Sequence, residues 1–232
     1  IDVLNNVNVN TEYILRTSEA NTGLAFVSLK EDGNRDFSFY RNPSADMLLN
    51  KDQIKEEWFN NCKILHFCSV DLVESPMKYA HKKAIEYATK NNSIISFDPN
   101  VRLPLWDNHD DCKNVIREFL PLTNIVKISD EELEFITDIK VEQKALESLF
   151  VGNVKVVIYT KGPDGACFIT KKNNKLNIIE QHGIKVEAID TTGAGDSFIG
   201  SFLYQLGENK IFINDLENIN EEIVKKMIMF SN

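Results

Sequence analysis

The sequence predicts an α/β fold: a mostly parallel sheet with helices packed on its faces. Three observations carry that reading. From residue 64 onward, short apolar runs of strand length alternate with longer segments of helical spacing, the pattern of parallel strands joined by covering helices. The turn Gly193-Ala-Gly195 lies between a strand-like run and an amphipathic segment, as at a strand-to-helix junction. Before residue 64 the pattern differs: two β-prone runs flank Glu31-Asp-Gly-Asn34, and Asp-Gly is a strong hairpin signal.

The hairpin occupies residues 22–40, with Phe37 and Phe39 on one face and Ser38 and Tyr40 on the other. Residues 64–67 read as a short buried strand. Pro76 suits the first turn of a helix that runs to residue 91. A strand follows over 94–98, a helix over 108–120 and a strand over 125–128. Two short helices, 130–137 and 141–150, precede a strand at 154–159. Lys161-Gly-Pro-Asp-Gly165 is a turn, and residues 166–170 and 175–181 form an antiparallel pair around Lys172-Asn-Asn174. A strand over 184–189 and a helix over 193–206 complete the pattern, and an apolar helical stripe covers 221–230. Ligands of such sheets bind at the carboxyl ends of the strands. That places Asp98, Ser129, Thr160 and Asp190 at the positions of interest.

Composition narrows the function classes. A length of 232 residues suggests one large domain with room for a substantial core. With 43% hydrophobic and 26% charged residues, the chain has an ordinary globular composition rather than a disordered one. No apolar run approaches the ~18 residues that a membrane span needs. A net charge of −9 argues against nucleic acid as a partner. It leaves room for a small anionic ligand held by backbone N–H groups. The four cysteines show neither a C-x-x-C pair nor zinc spacing. Cys68 and Cys167 lie in apolar runs and read as reduced structural residues, which suits a cytoplasmic protein. The four histidines read as structural or surface groups. The chain opens at Ile1 without a signal-peptide pattern and closes inside a helical stripe, so the expectation is one domain incomplete at both ends.

The chemistry concentrates in Asp190-Thr-Thr-Gly-Ala-Gly-Asp196. Glycines let the backbone approach a ligand, and the first N–H groups of the following helix attract an anion. A carboxylate at Asp196, beside such a site, has a reason to be there if it accepts a proton from a hydroxyl attacking phosphate. The alternative is a helix cap, Asp190 and Thr192 serving the turn alone. The string is neither a dinucleotide fingerprint nor a Walker A loop.

The same string closely resembles the signature of the ribokinase-like carbohydrate kinases. Residues 39–49, 98–106 and 127–135 resemble segments of fructokinases within that family, in the same order and spacing over residues 22–206. The resemblance implies a ribokinase-like three-layer sandwich with a small β-lid, the hairpin 22–40. It implies ATP-dependent phosphoryl transfer to a primary hydroxyl of a sugar, foremost the 6-hydroxyl of D-fructose, with Mg2+ on the phosphates. Asp196 would be the catalytic base, and Gly193, Ala194 and Gly195 with the Asp196 N–H would form the anion hole. Asp190 and Thr192 match positions that hold a monovalent cation, K+, in relatives. Thr160, Gly162 and Gly165 match the turn lining the nucleotide site, although Pro163 and Asp164 equally suit an ordinary turn. Ser129 and Glu132 fall where many relatives carry Asn-x-x-Glu. Glu132 would act on Mg2+ through water, or would serve the helix N-terminus by its charge. Lys127 would approach phosphate, or would be a strand residue with a solvated head. Asp98, Asn100 and Arg102 form a polar cluster for substrate or phosphate, with an Asp-Pro-Asn turn and a surface Arg as the alternative. Arg41 and Asn42 follow the hairpin, where relatives approach the sugar. The Phe-rich hairpin is compatible with a homodimer. Within the enzymes the rivals are another sugar or a nucleoside as acceptor. Outside them, the rival is a non-catalytic regulatory or interaction protein of the same fold.

Overall fold

A computed structural model describes residues 1–29, 35–186 and 190–232. The turn expected at 31–34 lies outside the described residues. On either side of it, β1 (Leu24–Leu29) and β2 (Arg35–Tyr40) pair antiparallel as a separate two-stranded sheet. The register sets Leu24, Phe26, Ser38 and Tyr40 on one face and Ala25, Val27, Phe37 and Phe39 on the other.

The main sheet has six strands in chain order: β3 (Ile64–Cys68), β4 (Ile94–Asp98), β5 (Ile125–Ser129), β6 (Val156–Thr160), β7 (Ala166–Lys172) and β8 (Lys175–Gln181). From β3 to β6 the pairing is parallel, and β7 and β8 return antiparallel. Parallel strands laid down successively in one direction, with crossovers of one hand, put every crossover helix on the same face. That face carries α2 (Pro76–Lys90), α3 (His109–Phe119), α4 (Asp130–Thr137) and α5 (Glu142–Ser148), after the short N-terminal helix α1 (Asp2–Asn6). The opposite face carries α6 (Ala194–Glu208) and α7 (Glu221–Ser231).

Strand alternation divides the core accordingly. Ile95, Phe97, Val126, Ile128 and Val157 pack with Ile85, Ile116, Phe119 and Leu133 under the crossover helices. Ile94, Ile125, Val156, Ile158 and Phe168 pack with Phe198, Phe202, Leu206 and Val224 under α6 and α7. All positions of β4 are buried, as a strand covered on both faces requires.

Local chemistry fixes the ends. Pro76 occupies the first turn of α2, and the Asn108 side chain accepts the Asp110 N–H at the start of α3. Asp138 ends α4 in the left-handed conformation at φ 59°. Asn173 and Asn174, both at positive φ, make the tight turn between β7 and β8 that the sequence predicts. Gly165 has φ 101°, and a Cβ there would lie 2.2 Å from the Gln181 carbonyl oxygen, so this corner admits only glycine.

One expected strand differs. Residues 184–186 have no strand conformation, and 187–189 lie outside the described residues. Ile184 and Val186 alternate as a strand face would, yet both are exposed: the β7–β8 hairpin already forms that side of the sheet. Among the described residues, no helix is long and apolar enough to cross a membrane, and all four cysteines are free thiols.

Candidate active site

The site grows from the sheet face that meets α6. Its residues are apolar at the amino ends of the strands and polar toward the carboxyl ends. His66 stands opposite Ser96, with His66 Nδ1 3.0 Å from Ser96 Oγ. One pair further along, Lys127 Nζ lies 2.9 Å from Asp98 Oδ2, the two side chains 8% and 3% exposed. Burial is the main force on Asp98 and pushes its carboxyl up to about 6. The Lys127 charge works against that shift, while Glu132 and Asp196 add to it. Asp98 Oδ1 accepts the Asn100 N–H at 3.1 Å, so both carboxylate oxygens are held.

The glycine-rich turn closes over this pair. Asp190 Oδ1 accepts the Thr192 N–H at 2.7 Å, and the Ala194 N–H donates to the Thr191 carbonyl at 3.1 Å. Gly193 precedes α6 at φ 78°, a conformation natural to glycine. Gly195 differs: a Cβ there would stand a tight 3.1 Å from Lys127 Nζ, which would have to yield by a few tenths of an ångström. Among the described residues, the N–H groups of Gly195 and Asp196 meet no backbone acceptor, as helix geometry dictates for a first turn. With the Gly193 N–H they are the donors left for an anion, whereas the Ala194 N–H is used within the turn. Asp196 lines a cleft of about 410 Å³ with His66, Cys68, Asp71, Asp98 and Gly200. Asp98 and Asp196 line this cleft, and Lys127, outside its lining, is paired with Asp98 and close to Gly195. A carboxylate near an ammonium and the unused N–H groups of a first helical turn can seat an anion beside a proton acceptor.

The remaining expected residues spread around this centre. Glu132 Oε1 accepts the Val101 N–H at 2.7 Å and Oε2 the Ser129 N–H at 3.0 Å. With Ser129 it forms a capping box at α4, whereas the sequence reading offered only its charge at that helix N-terminus, and it also ties the turn after β4 to the end of β5. Thr160 pairs with Ser129 across β5 and β6, and Gly162 and Gly165 form the turn beyond it. The Arg102 guanidinium lies 5.5 Å from the Phe37 ring of β2, and Nη1 donates to the Val101 carbonyl. Arg41 pairs with Asp46 and Asp71 and donates to the Val70 carbonyl, clamping the base of the hairpin to the segment after β3. Arg41 and Asn42 line a larger cleft of about 740 Å³ between the hairpin base, α2 and α3, which contains none of Asp98, Lys127 and Asp196. We place the chemistry in the smaller cleft, since Asp98 and Asp196 line it and Lys127 is paired with Asp98.

The sequence pattern of the pfkB family carbohydrate kinases matches residues 1–216. The chain belongs to that family. It is 40% identical over 214 residues to probable fructokinase-3 of Arabidopsis thaliana, an alignment covering 92% of this chain and 59% of that one. It is 37% identical over 230 residues to fructokinase-2 of Solanum lycopersicum, covering 99% and 67%. Among solved structures, fructokinase with bound ATP from Xylella fastidiosa superimposes with a TM-score of 0.88 at 28% identity, covering 99% of this chain and 71% of that one. Fructokinase from Vibrio cholerae O395 in its fructose, ADP and calcium ion bound form gives 0.79 at 27%, covering 100% and 71%. The chain therefore spans about three fifths to two thirds of the length of the curated relatives it matches.

For a carbohydrate kinase, the sequence left part of the cleft unseen. His66, Cys68, Asp71 and Ser96 line it or support it, and none was singled out for chemistry. The signal that reaches two of them is strand parity: Ser96 shares a face with Asp98, and His66 pairs with Ser96.

Proposed function

We propose that the protein is an ATP-dependent sugar kinase that phosphorylates the 6-hydroxyl of D-fructose. The observation that carries the reading is the meeting of Asp98-paired Lys127 with Gly195 and Asp196 at the start of α6, in a chain of the pfkB family. The sugar hydroxyl oxygen attacks the γ-phosphorus of ATP and forms the new P–O bond. The bond to the bridging oxygen breaks, ADP departs with that electron pair, and the hydroxyl proton passes to the Asp196 carboxylate. The Gly195 and Asp196 N–H groups and the Lys127 ammonium face the charge that builds on the transferring group. Each such donor is typically worth ~10²–10³ in rate, and a positioned base ~10²–10⁴.

Mg2+, when bound, neutralises phosphate charge. Glu132 would be the protein group offered to the ion, through water. Each Glu132 oxygen accepts one N–H and keeps a lone pair for such a water. Asp190 and Thr192 are the residues offered to K+. Thr160, Gly162, Gly165 and Ser129 lie along the strand ends where the nucleotide would rest, with Asn100 and Arg102 at the neighbouring strand end. The hairpin β1–β2 acts as the lid that excludes water from the transfer. Its outer face, with Leu24, Phe26 and Tyr40 exposed, is the surface proposed for a homodimer. Four free thiols suit the cytoplasm.

The test is a coupled ADP-release assay with fructose and a panel of other sugars and nucleosides, run beside Asp196→Asn. The variant should bind ATP and lose ~10²-fold or more in turnover. Near-normal turnover of Asp196→Asn would remove the base assignment, and a preference for another acceptor would reassign the substrate.

A further inference from the structure

The pair Asp98–Lys127 is costly for a sheet interior. Both side chains are over nine-tenths buried, and apolar residues of similar size would stabilise the same place at least as well. A buried pair at the carboxyl ends of parallel strands, where this fold places its ligands, calls for a functional reason.

Geometry supplies one. Asp98 has no rotational freedom to spare: one oxygen takes the Asn100 N–H, and the other takes Lys127 Nζ. The ammonium has three donors, and Asp98 is its one ion-pair partner among the described residues. Its other side is Gly195, whose missing Cβ leaves the ammonium within reach of the turn. We infer that Asp98 is a positioning residue, holding the Lys127 ammonium beneath Gly195 so that it faces the phosphoryl group seated at the start of α6.

The proposal rests on the kinase reading above and deepens it. The charged groups facing Asp98 are Lys127 on β5, Glu132 on α4 and Asp196 on α6, with the Cys68 thiol beside it on β3. One cation therefore balances several acids before any phosphate arrives. Unless Lys127 is fixed at the turn, the incoming anion meets net negative charge.

The experiment is a double-mutant cycle on binding of ATP with Mg2+ and without sugar, read by titration calorimetry. It uses the unaltered protein, Asp98→Asn, Lys127→Met and the double variant, each checked for a cooperative melt. Loss of one charge-assisted contact should weaken ATP roughly 10- to 100-fold in Lys127→Met. Asp98→Asn should weaken it about threefold to tenfold, and the double variant should match Lys127→Met within about twofold, since Asp98 acts only through the ammonium. If the two losses multiply, Asp98 has a role of its own and the inference fails. If ATP does not bind the unaltered protein at all, the kinase reading fails, and the inference with it. Should Asp98→Asn not fold, Gly195→Ala takes its place, because the added methyl presses on Lys127 Nζ. ATP affinity unchanged in Gly195→Ala would overturn the inference as well.

Discussion

Replacing Asp98 by Asn tests the buried carboxyl through stability alone. Burial raises the folded-state value to about 6 from the ordinary 3.8. Between those two values the unfolded chain has released the proton while the native protein still holds it. The native state then binds more protons, so stability falls as pH rises through this window. A displacement of about two units corresponds to a penalty of about 3 kcal/mol, fully present above pH ~7 and absent below pH ~3.5. Asn imitates the protonated carboxyl and does not titrate. Leaving Lys127 beside a neutral partner is common to the protonated acid and to the amide, so it cancels at low pH. Urea denaturation of both proteins at intervals from pH 4 to pH 7.5 reads the difference. Carboxylates with lowered values, such as Asp46, Glu118 and Asp138, titrate in both proteins and drop out on subtraction. The stability of Asp98→Asn minus that of the unaltered protein should become more positive by about 3 kcal/mol from acid to neutral pH. A constant difference, or one that moves the other way, would mean that Lys127 outweighs burial, and the reasoning would be refuted.

Three further perturbations separate the roles of single residues. Gly165→Ala sets a methyl 2.2 Å from the Gln181 carbonyl oxygen at φ 101°, and thermal denaturation should show a loss of about 3 kcal/mol or more. Gly193→Ala meets no atom within 4 Å and bears only the left-handed backbone, so about 1–2 kcal/mol is expected by the same measurement. Equal losses in the two would contradict the distinction. Arg41→Ala leaves Asp46 and Asp71 without their shared cation and should lower stability by roughly 1–3 kcal/mol in a urea titration. Arg41→Lys should recover less than half of that, since an ammonium cannot reach three separate acceptors.

The sequence-based reading succeeds where the signal is local. Apolar runs bounded by turn residues locate β3 to β8, and Asn173-Asn174 marks the hairpin between the last two. The acidic start of α4 is read from the sequence as charge alone, and the structure makes Glu132 a capping-box partner of Ser129 with a second duty at the Val101 N–H. Contacts made by register are not legible in that way. Asp98 and Lys127 sit in different strands, and only the pairing of β4 with β5 makes them neighbours. Lys127 alone reads equally well as a strand residue with a solvated head, yet it is buried. His66 escapes for a similar reason: it is one polar residue in an apolar run until the sheet sets it against Ser96. Arg41 shows the converse. It reads as a ligand contact because it follows the hairpin, and the three acceptors that engage it come from segments that no spacing rule connects to it.

The Arg41 clamp has a consequence for changing the cleft. Asp71, one of its partners, is also a wall of the cleft beside Asp196. Pocket shape and hairpin tether are therefore one inheritable unit. A substitution that trims Asp71 to widen the cleft also removes a partner of Arg41, so cleft shape and hairpin attachment change together. Compensating changes should surface at Asp46 or at Arg41 itself, the other members of the same clamp.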